Sequence, residues 1–290
     1  MQGLNLKLSA NKPIILVDGS YFVFHRFFAT LKWYKFKNPD IDGSSCMDTD
    51  EFRDAILKHT LSDITKLRKK WAIPKEGKKR ISKEDWETIP LWLATDCHRS
   101  EIWRSSIVDG YKGTRDMAYS RDTFDKRCFQ SLYECISNEL NIPLLEMDKL
   151  EADDIVALTH RKLRQMGYDG KIVCITNDND YLQLRDENTD IYNLDNKNLL
   201  SRSCGDRQRD LFIKILTGDK SDNILPVRKK LTEKKIREMD HLSEKEILEE
   251  LALDTEELKR SELNRTLIDF YHIPSEFVDK YNSMFNIELL

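Results

Sequence analysis

Lys171-Ile172-Val173-Cys174-Ile175-Thr176-Asn177-Asp178-Asn179-Asp180 decides the fold class. Four apolar residues in a row, rich in β-branched side chains and too short for a helix, read as a buried strand. The strand runs straight into a turn of amides and acids. Upstream, Leu150–Met166 reads as a helix opened by acids, which suit the positive end of its dipole. The same pairing recurs outward along the chain. Pro13–Asp18 is a short apolar strand ending on an acid, followed by a helix over Tyr21–Ala29. Pro90–Asp96 is another strand ending on an acid, and Ile142–Glu146 and Asp190–Leu194 are further strands. Asp50–Trp71 and Phe124–Leu140 have helical spacing, with a Gly/Lys-rich loop over Pro74–Lys83. Strands alternating with helices predict an α/β protein with a mostly parallel, doubly wound sheet. After about Asp206 the pattern is helical: Asp206–Thr217, a basic helix after Thr232, Ser243–Leu253, Ser261–Tyr271 and Pro274–Phe285. The expected division is a core over residues 1–205 and a helical region over 206–290.

The chain of 290 residues is 40% hydrophobic, enough for a sizeable core, and 34% charged with a formal net charge of −4. The balance says little about partners, but the distribution says more. Between Lys66 and Lys83 stand Lys66, Arg68, Lys69, Lys70, Lys75, Lys78, Lys79, Arg80 and Lys83 against Glu76 alone, and Arg228–Arg237 is similarly basic. Many acids gather instead in tight clusters. Such segregation suits metals at one place and phosphates at another. The six cysteines form no C-x-x-C pair and no zinc-spaced cluster, which points to reduced thiols and an intracellular, cytosol-like setting. No apolar run reaches membrane-spanning length, and no signal-peptide core opens the chain, so a membrane partner is not expected.

Asp18, Asp96, Asp178 and Asp180 fall at or just past the C-terminal ends of predicted strands, where open α/β sheets bind ligands. Glu151 and Asp154 share a helix face beside Asp153, and Asp219 and Asp222 are spaced i, i+3. These nine carboxylates cannot crowd together as free anions, because burial and mutual repulsion would protonate several. Hard oxygen donors without Cys or His select Mg²⁺ or Mn²⁺, and a pair of such ions suits phosphodiester hydrolysis. Lys112 and Arg115 can face one phosphate, and Tyr111 can stack on a base.

Val17-Asp18-Gly19-Ser20, Glu151-Ala152-Asp153-Asp154, Thr176-Asn177-Asp178-Asn179-Asp180 and Gly218-Asp219-Lys220-Ser221-Asp222-Asn223-Ile224 resemble, in order and spacing, the flap-endonuclease-like 5′ nucleases, from about Ile14 to Pro226. Glu-Ala-Asp-Asp is similar to the bacterial and phage branch of that family, which makes a phage- or virus-encoded protein a reasonable expectation. The resemblance implies a PIN-like 5′-nuclease core with a mostly parallel sheet, a helical arch, and a C-terminal helix–hairpin–helix-type region. It implies two Mg²⁺, with Mn²⁺ substituting: Asp18, Asp96, Glu151, Asp153 and Asp154 at the first, and Asp178, Asp180, Asp219 and Asp222 at the second. Tyr111-Lys112-Gly113-Thr114-Arg115 resembles the Tyr-Lys-x-x-Arg at the foot of the arch, with Lys112 and Arg115 catalytic, and Trp103-Arg104 resembles the aromatic-Arg pair upstream; the resemblance implies that Trp103, Arg104, Tyr111, Lys112 and Arg115 meet the nucleic acid.

The chain also departs from the family pattern. His25 stands where Arg is usual, with Arg26 next, so either can take the phosphate-reaching place. Asn177 stands where Gly is common. Pro226-Val227-Arg228-Lys229-Lys230-Leu231 lacks the Gly-x-Gly loop, so Arg228, Lys229 and Lys230 are expected to substitute side-chain charge. The implied activity is a monomeric 5′-3′ exonuclease or flap endonuclease acting on DNA with a 5′ flap or fork and on RNA–DNA duplexes, in primer or flap removal. A single-strand DNA-binding protein or a sliding clamp is the implied protein partner. Two alternatives stay open: a non-catalytic DNA-junction binding protein, and a D-x-D metal phosphatase.

Overall fold

The computed structural model describes residues 4–10, 12–74, 80–113 and 124–290. Five parallel strands form the central sheet: β2 (Ile14–Asp18), β3 (Leu91–Ala94), β4 (Leu144–Leu145), β5 (Ile172–Ile175) and β6 (Thr189–Tyr192), in the spatial order β4-β3-β2-β5-β6. Asp18 pairs with Ala94, and Val17 pairs with both Leu93 and Ile175, so three strands end level. β2 is central, with the chain crossing to β3 on one side and β5 on the other. That reversal of winding opens a crevice at the strand C-termini.

Both faces of the sheet are covered, which is why its strands are apolar throughout rather than alternating. Along β2, Ile14 and Leu16 enter one core with Trp92, Ala94 and Cys174, beneath Ile155, Val156 and Leu158 of α5 (Ala152–Gln165). Ile15 and Val17 enter the other core with Leu91, Leu93, Val173 and Ile175, against Ile64 and Leu67 of α2 (Asp50–Trp71). Truncating one of these core leucines or isoleucines to Ala would cost about 2–5 kcal/mol.

Local chemistry sets the helix starts that matter for the site. Asp18 caps α1 (Gly19–Tyr34) by accepting from the Tyr21 amide at 3.0 Å. A Cβ at Gly19 would lie 2.4 Å from the Ala94 carbonyl oxygen, so only glycine lets the helix begin against β3. Glu151 and Asp154 form a reciprocal capping box on α5. Asp206 caps α6 (Arg207–Thr217), which stops at Gly218 with φ 69, where a Cβ would meet the Ile224 carbonyl at 2.4 Å.

Several elements differ from the sequence expectation. The 124–140 helix is α4 (Arg127–Glu134), continued by a π turn over Cys135–Glu139. A short helix, α3 (Lys83–Glu87), starts at the edge of the expected loop through a Ser82–Asp85 capping box. α7 (Glu233–Arg237) and α8 (Glu244–Leu251) fall near their expected places. α9 spans Thr255–Ile268, beginning earlier than expected because Asp254 and Glu257 cap it reciprocally. After α10 (Ser275–Met284), the last residues form β7 (Phe285–Leu289), which pairs in parallel with β1 (Leu4–Leu8). Neither end strand was expected. The helical part is not a detached tail: Leu211 and Ile215 of α6 and Leu267 of α9 share a core with Ile102 and Tyr111.

Candidate metal centre

A cavity of about 480 Å³ opens at the C-terminal ends of β2, β3 and β5. Six of the nine expected carboxylates line it: Asp18, Asp96, Glu151, Asp153, Asp178 and Asp219. Each arrives by a different local device. Asp18 Oδ2 accepts from Thr176 Oγ1 at 3.0 Å. Asp96 Oδ1 accepts from the Ala152 amide at 2.8 Å, while its other oxygen accepts from Ser20. Asp153 Oδ1 accepts from the Asp154 amide at 2.7 Å, and Asp178 Oδ1 from the Asp180 amide at 2.9 Å. Asp219 Oδ1 accepts from the Ser221 amide and hydroxyl at 2.7 and 2.6 Å. Carboxylate oxygens of Glu151, Asp153 and Asp154 all lie within 4.8 Å of one another.

The other three acids sit behind this wall. Asp154 is fully buried, and both its oxygens are taken: Arg104 Nη1 and Nη2 donate at 2.7 Å each, and Trp103 Nε1 donates at 3.0 Å. Asp222 accepts from Tyr111 at 3.1 Å. Asp180 accepts from Lys214 and faces an adjoining cavity that shares Asn179, Lys214 and Asp219 with the first.

Such crowding changes the acids. Burial, with Asp96 close by, pushes the Asp18 carboxyl up to about 7. Burial also lifts Asp180 to about 7 against the opposing pull of Lys214, and burial plus Glu151 and Asp154 lifts Asp153 far above the usual carboxylate range. Glu151 goes the other way: burial would raise it, but Lys112 and Arg104 outweigh that and hold it low. The two lysines act as counter-cations. Lys112 Nζ bonds to Glu151 and lies 3.6 Å from Asp222; Lys214 Nζ bonds to Asp180 and lies 2.7 Å from Asp219. Carboxylates that carry protons or borrow lysines, with oxygen donors only, fit hard divalent cations.

The nucleic-acid expectations fare unevenly. Trp103 and Arg104 were expected to meet the substrate; both are buried, with Arg104 also donating to Glu151 at 3.1 Å and to the Leu267 carbonyl at 2.7 Å. An arginine beside three acids has stronger claims inside than at a phosphate. Tyr111, expected to stack on a base, is buried and its hydroxyl donates to Glu151 at 3.0 Å. Arg26 is spent on Asp63 of α2, leaving His25, half-buried and 3.5 Å from Asp195, as the nearer of the two to solvent. Arg228 is spent on Glu257 and on the Leu251 carbonyl at 2.8 Å, whereas Lys229 and Lys230 are exposed. Lys112 lies at the cavity wall with a left-handed φ of 56. Arg115 and the expected arch lie outside the described residues, as do Lys75, Lys78 and Lys79. In the remaining basic stretch, Lys69 lies over Trp86 and Lys70 lies 3.9 Å from the Tyr192 ring centroid.

Sequence reasoning missed Ser20, Thr176 and Lys214. Ser20 and Thr176 each stand inside a quoted acid motif without having been given a role, and Lys214 precedes Gly218 by one helical turn, so spacing carried a faint signal.

Residues 78–208 match the family model described as 5′-3′ exonuclease, N-terminal resolvase-like domain. Ribonuclease H of Enterobacteria phage T4 is 32% identical over 212 residues, covering 66% of this chain and 69% of that protein. The chain belongs to the flap-endonuclease-like 5′ nuclease family. A second relative, the 5′-3′ exonuclease of Buchnera aphidicola subsp. Schizaphis graminum, is 24% identical over 224 residues, 75% of this chain and 66% of that one. The family fold is also that of phage T5 5′-exonuclease, solved with divalent zinc bound: TM-score 0.62 at 18% identity, covering 93% of this chain and 97% of the other. A T5 flap endonuclease complex with DNA and metal ions has the same fold, with TM-score 0.60 at 16% identity, covering 93% and 96%.

Proposed function

We propose that the chain is a Mg²⁺-dependent, structure-specific 5′ nuclease, hydrolysing phosphodiesters of DNA and primer RNA near 5′ ends, flaps and forks. The observation that carries this reading is the convergence of carboxylates from three parallel strands and α5 on one cavity, with Lys112 on its wall. Asp18, Asp96, Glu151 and Asp153 would hold one cation, and Asp178, Asp180 and Asp219 the other. Divalent cations bound there supply an activated water and stabilise the leaving oxygen of a phosphodiester.

The chain's own residues do the rest. Thr176, Ser20 and the Ala152 amide fix the carboxylate orientations before any substrate arrives. Asp154, clamped by Arg104 and Trp103, supports Glu151 by accepting from its backbone amide at 3.3 Å. Lys112, now on Glu151, is placed to transfer its charge to a phosphate entering the cavity. Exposed Lys229 and Lys230 supply binding charge away from the chemistry. Among the described residues no helix is long and apolar enough to cross a membrane. A replication role belongs to this reading, as does a phage or viral origin, which the T4 relative supports.

The test is incubation with a labelled 5′ flap and with a small phosphate ester, each with Mg²⁺ and with EDTA. Cleavage of the flap alone, lost in EDTA, is expected. Hydrolysis of the ester alone would favour the phosphatase, and flap binding without cleavage would favour a junction-binding protein.

A further inference from the structure

A second cavity, of about 380 Å³, lies on another face of α5 and shares no lining residue with the metal centre. Ala157, His160, Arg161, Arg164 and Gln165 recur at helical spacing along it. Arg161 is eight residues beyond Asp153, so about 12 Å further along the helix.

Its charges are not balanced. The one lining carboxylate, Asp186, is consumed: Arg164 donates to it at 2.7 and 3.1 Å, and His160 lies 3.3 Å away. Arg161 and Arg207 have no carboxylate within ion-pair distance among the described residues. Arg207 opens α6, where the helix dipole by itself favours an acid. Tyr271 lines the same cavity, 63% exposed, with the Arg161 guanidinium 5.5 Å from its ring centroid. The aromatic is held in place. Gln183 donates to the Ile268 carbonyl at 3.0 Å and accepts from the Phe270 amide at 3.2 Å, fixing the turn that presents it.

We propose that this cavity is a docking site for an acidic peptide segment of a partner protein, with an apolar side chain seated between the acids. Two guanidinium groups without a carboxylate partner among the described residues, Arg207 making only a long 3.5 Å bond to the Arg185 carbonyl, can meet carboxylates bidentately, and the exposed Tyr271 ring can receive the apolar anchor. A nucleic-acid strand fits less well. It needs a run of cations at phosphate spacing leading to the metal centre, whereas this concavity has the two arginines without a carboxylate partner, a third paired with Asp186, and no residue in common with that centre.

The experiment is fluorescence anisotropy of the full chain with a short fluorescein-labelled peptide of glutamates ending in phenylalanine. Saturable binding that weakens with salt is expected. Arg161→Ala and Arg207→Ala should each weaken it about tenfold. Tyr271→Ala, or serine in place of the peptide's phenylalanine, should also weaken it. Flap cleavage should be unchanged in all three variants, which also shows that they are folded. Absence of saturable binding to the parent, or equal binding by the arginine variants, overturns the proposal. Displacement of the peptide by oligothymidylate, with oligothymidylate affinity lost in the same variants, overturns it in favour of a nucleic-acid site. None of these outcomes bears on the nuclease reading, which the flap assay tests separately.

Discussion

Arg104 grips Asp154 through both guanidinium ends, Nη1 to Oδ2 and Nη2 to Oδ1 at 2.7 Å each, with both side chains at most 3% exposed. The same guanidinium reaches Glu151 on the cavity wall and the Leu267 carbonyl at the end of α9. One buried residue therefore ties the metal carboxylates to the C-terminal helices.

Arg104→Ala should destabilise the fold by about 3–5 kcal/mol, because it strands a buried carboxylate. Arg104→Lys should recover little, since a single ammonium cannot make the forked contact. Urea unfolding of both variants checks this. A lysine variant as stable as the parent would show that charge, not fork geometry, holds Asp154.

Asp153→Asn and Asp18→Asn should each abolish cleavage and leave flap binding intact, because each removes a charge no neighbour replaces. Single-turnover assays beside anisotropy with the same flap decide it. Near-parental turnover in either variant would sink the metal assignment.

Asp18 and Asp180 sit at about 7 against an ordinary 3.8. The folded chain thus holds protons, between these values, that the unfolded chain has released. Their stabilising effect is complete below about pH 4 and is lost as pH rises through about 7. In EDTA, Tm should therefore fall across that window, and it should fall less in Asp180→Asn. Saturating Mg²⁺ should remove most of the fall, and its binding near pH 6 should release protons to the buffer. Calorimetry in two buffers of different ionisation enthalpy measures that release; zero release would contradict the raised carboxyls.

Lys112→Ala should slow single-turnover cleavage roughly 100- to 1000-fold while changing affinity little, if its charge moves from Glu151 to the phosphate. Neutralising Lys229 and Lys230 should do the reverse, weakening binding and flattening its salt dependence by about one unit of slope per lost phosphate contact. A Lys112 variant that lost only affinity would overturn this division of labour.

Lys214→Ala should leave Asp180 and Asp219 facing each other without a counter-cation. Metal-free stability should drop, and the difference should shrink as Mg²⁺ saturates. Paired melts with EDTA and with Mg²⁺ test this; an equal deficit in both would make Lys214 a packing residue only.

The sequence by itself determined the parallel α/β core and the meeting place of its acids. A strand such as Ile172–Ile175, ending on Asp178 and Asp180, announces both through local rules: apolar runs bury, and parallel strands bind at their C-termini. Tertiary structure alone decided what each charge faces. Arg104, Tyr111, Arg26 and Arg228 read as substrate contacts in the chain, yet each meets a partner distant in sequence, at Asp154, Glu151, Asp63 and Glu257. A buried acid such as Asp154 binds a guanidinium more strongly than solvent does, and spacing along the chain carries no record of any of these acids. The pairing of β1 with β7 was hidden for the same reason. Leu4 meets Phe285 from the opposite end of the chain, and neither strand has a periodicity that names its partner.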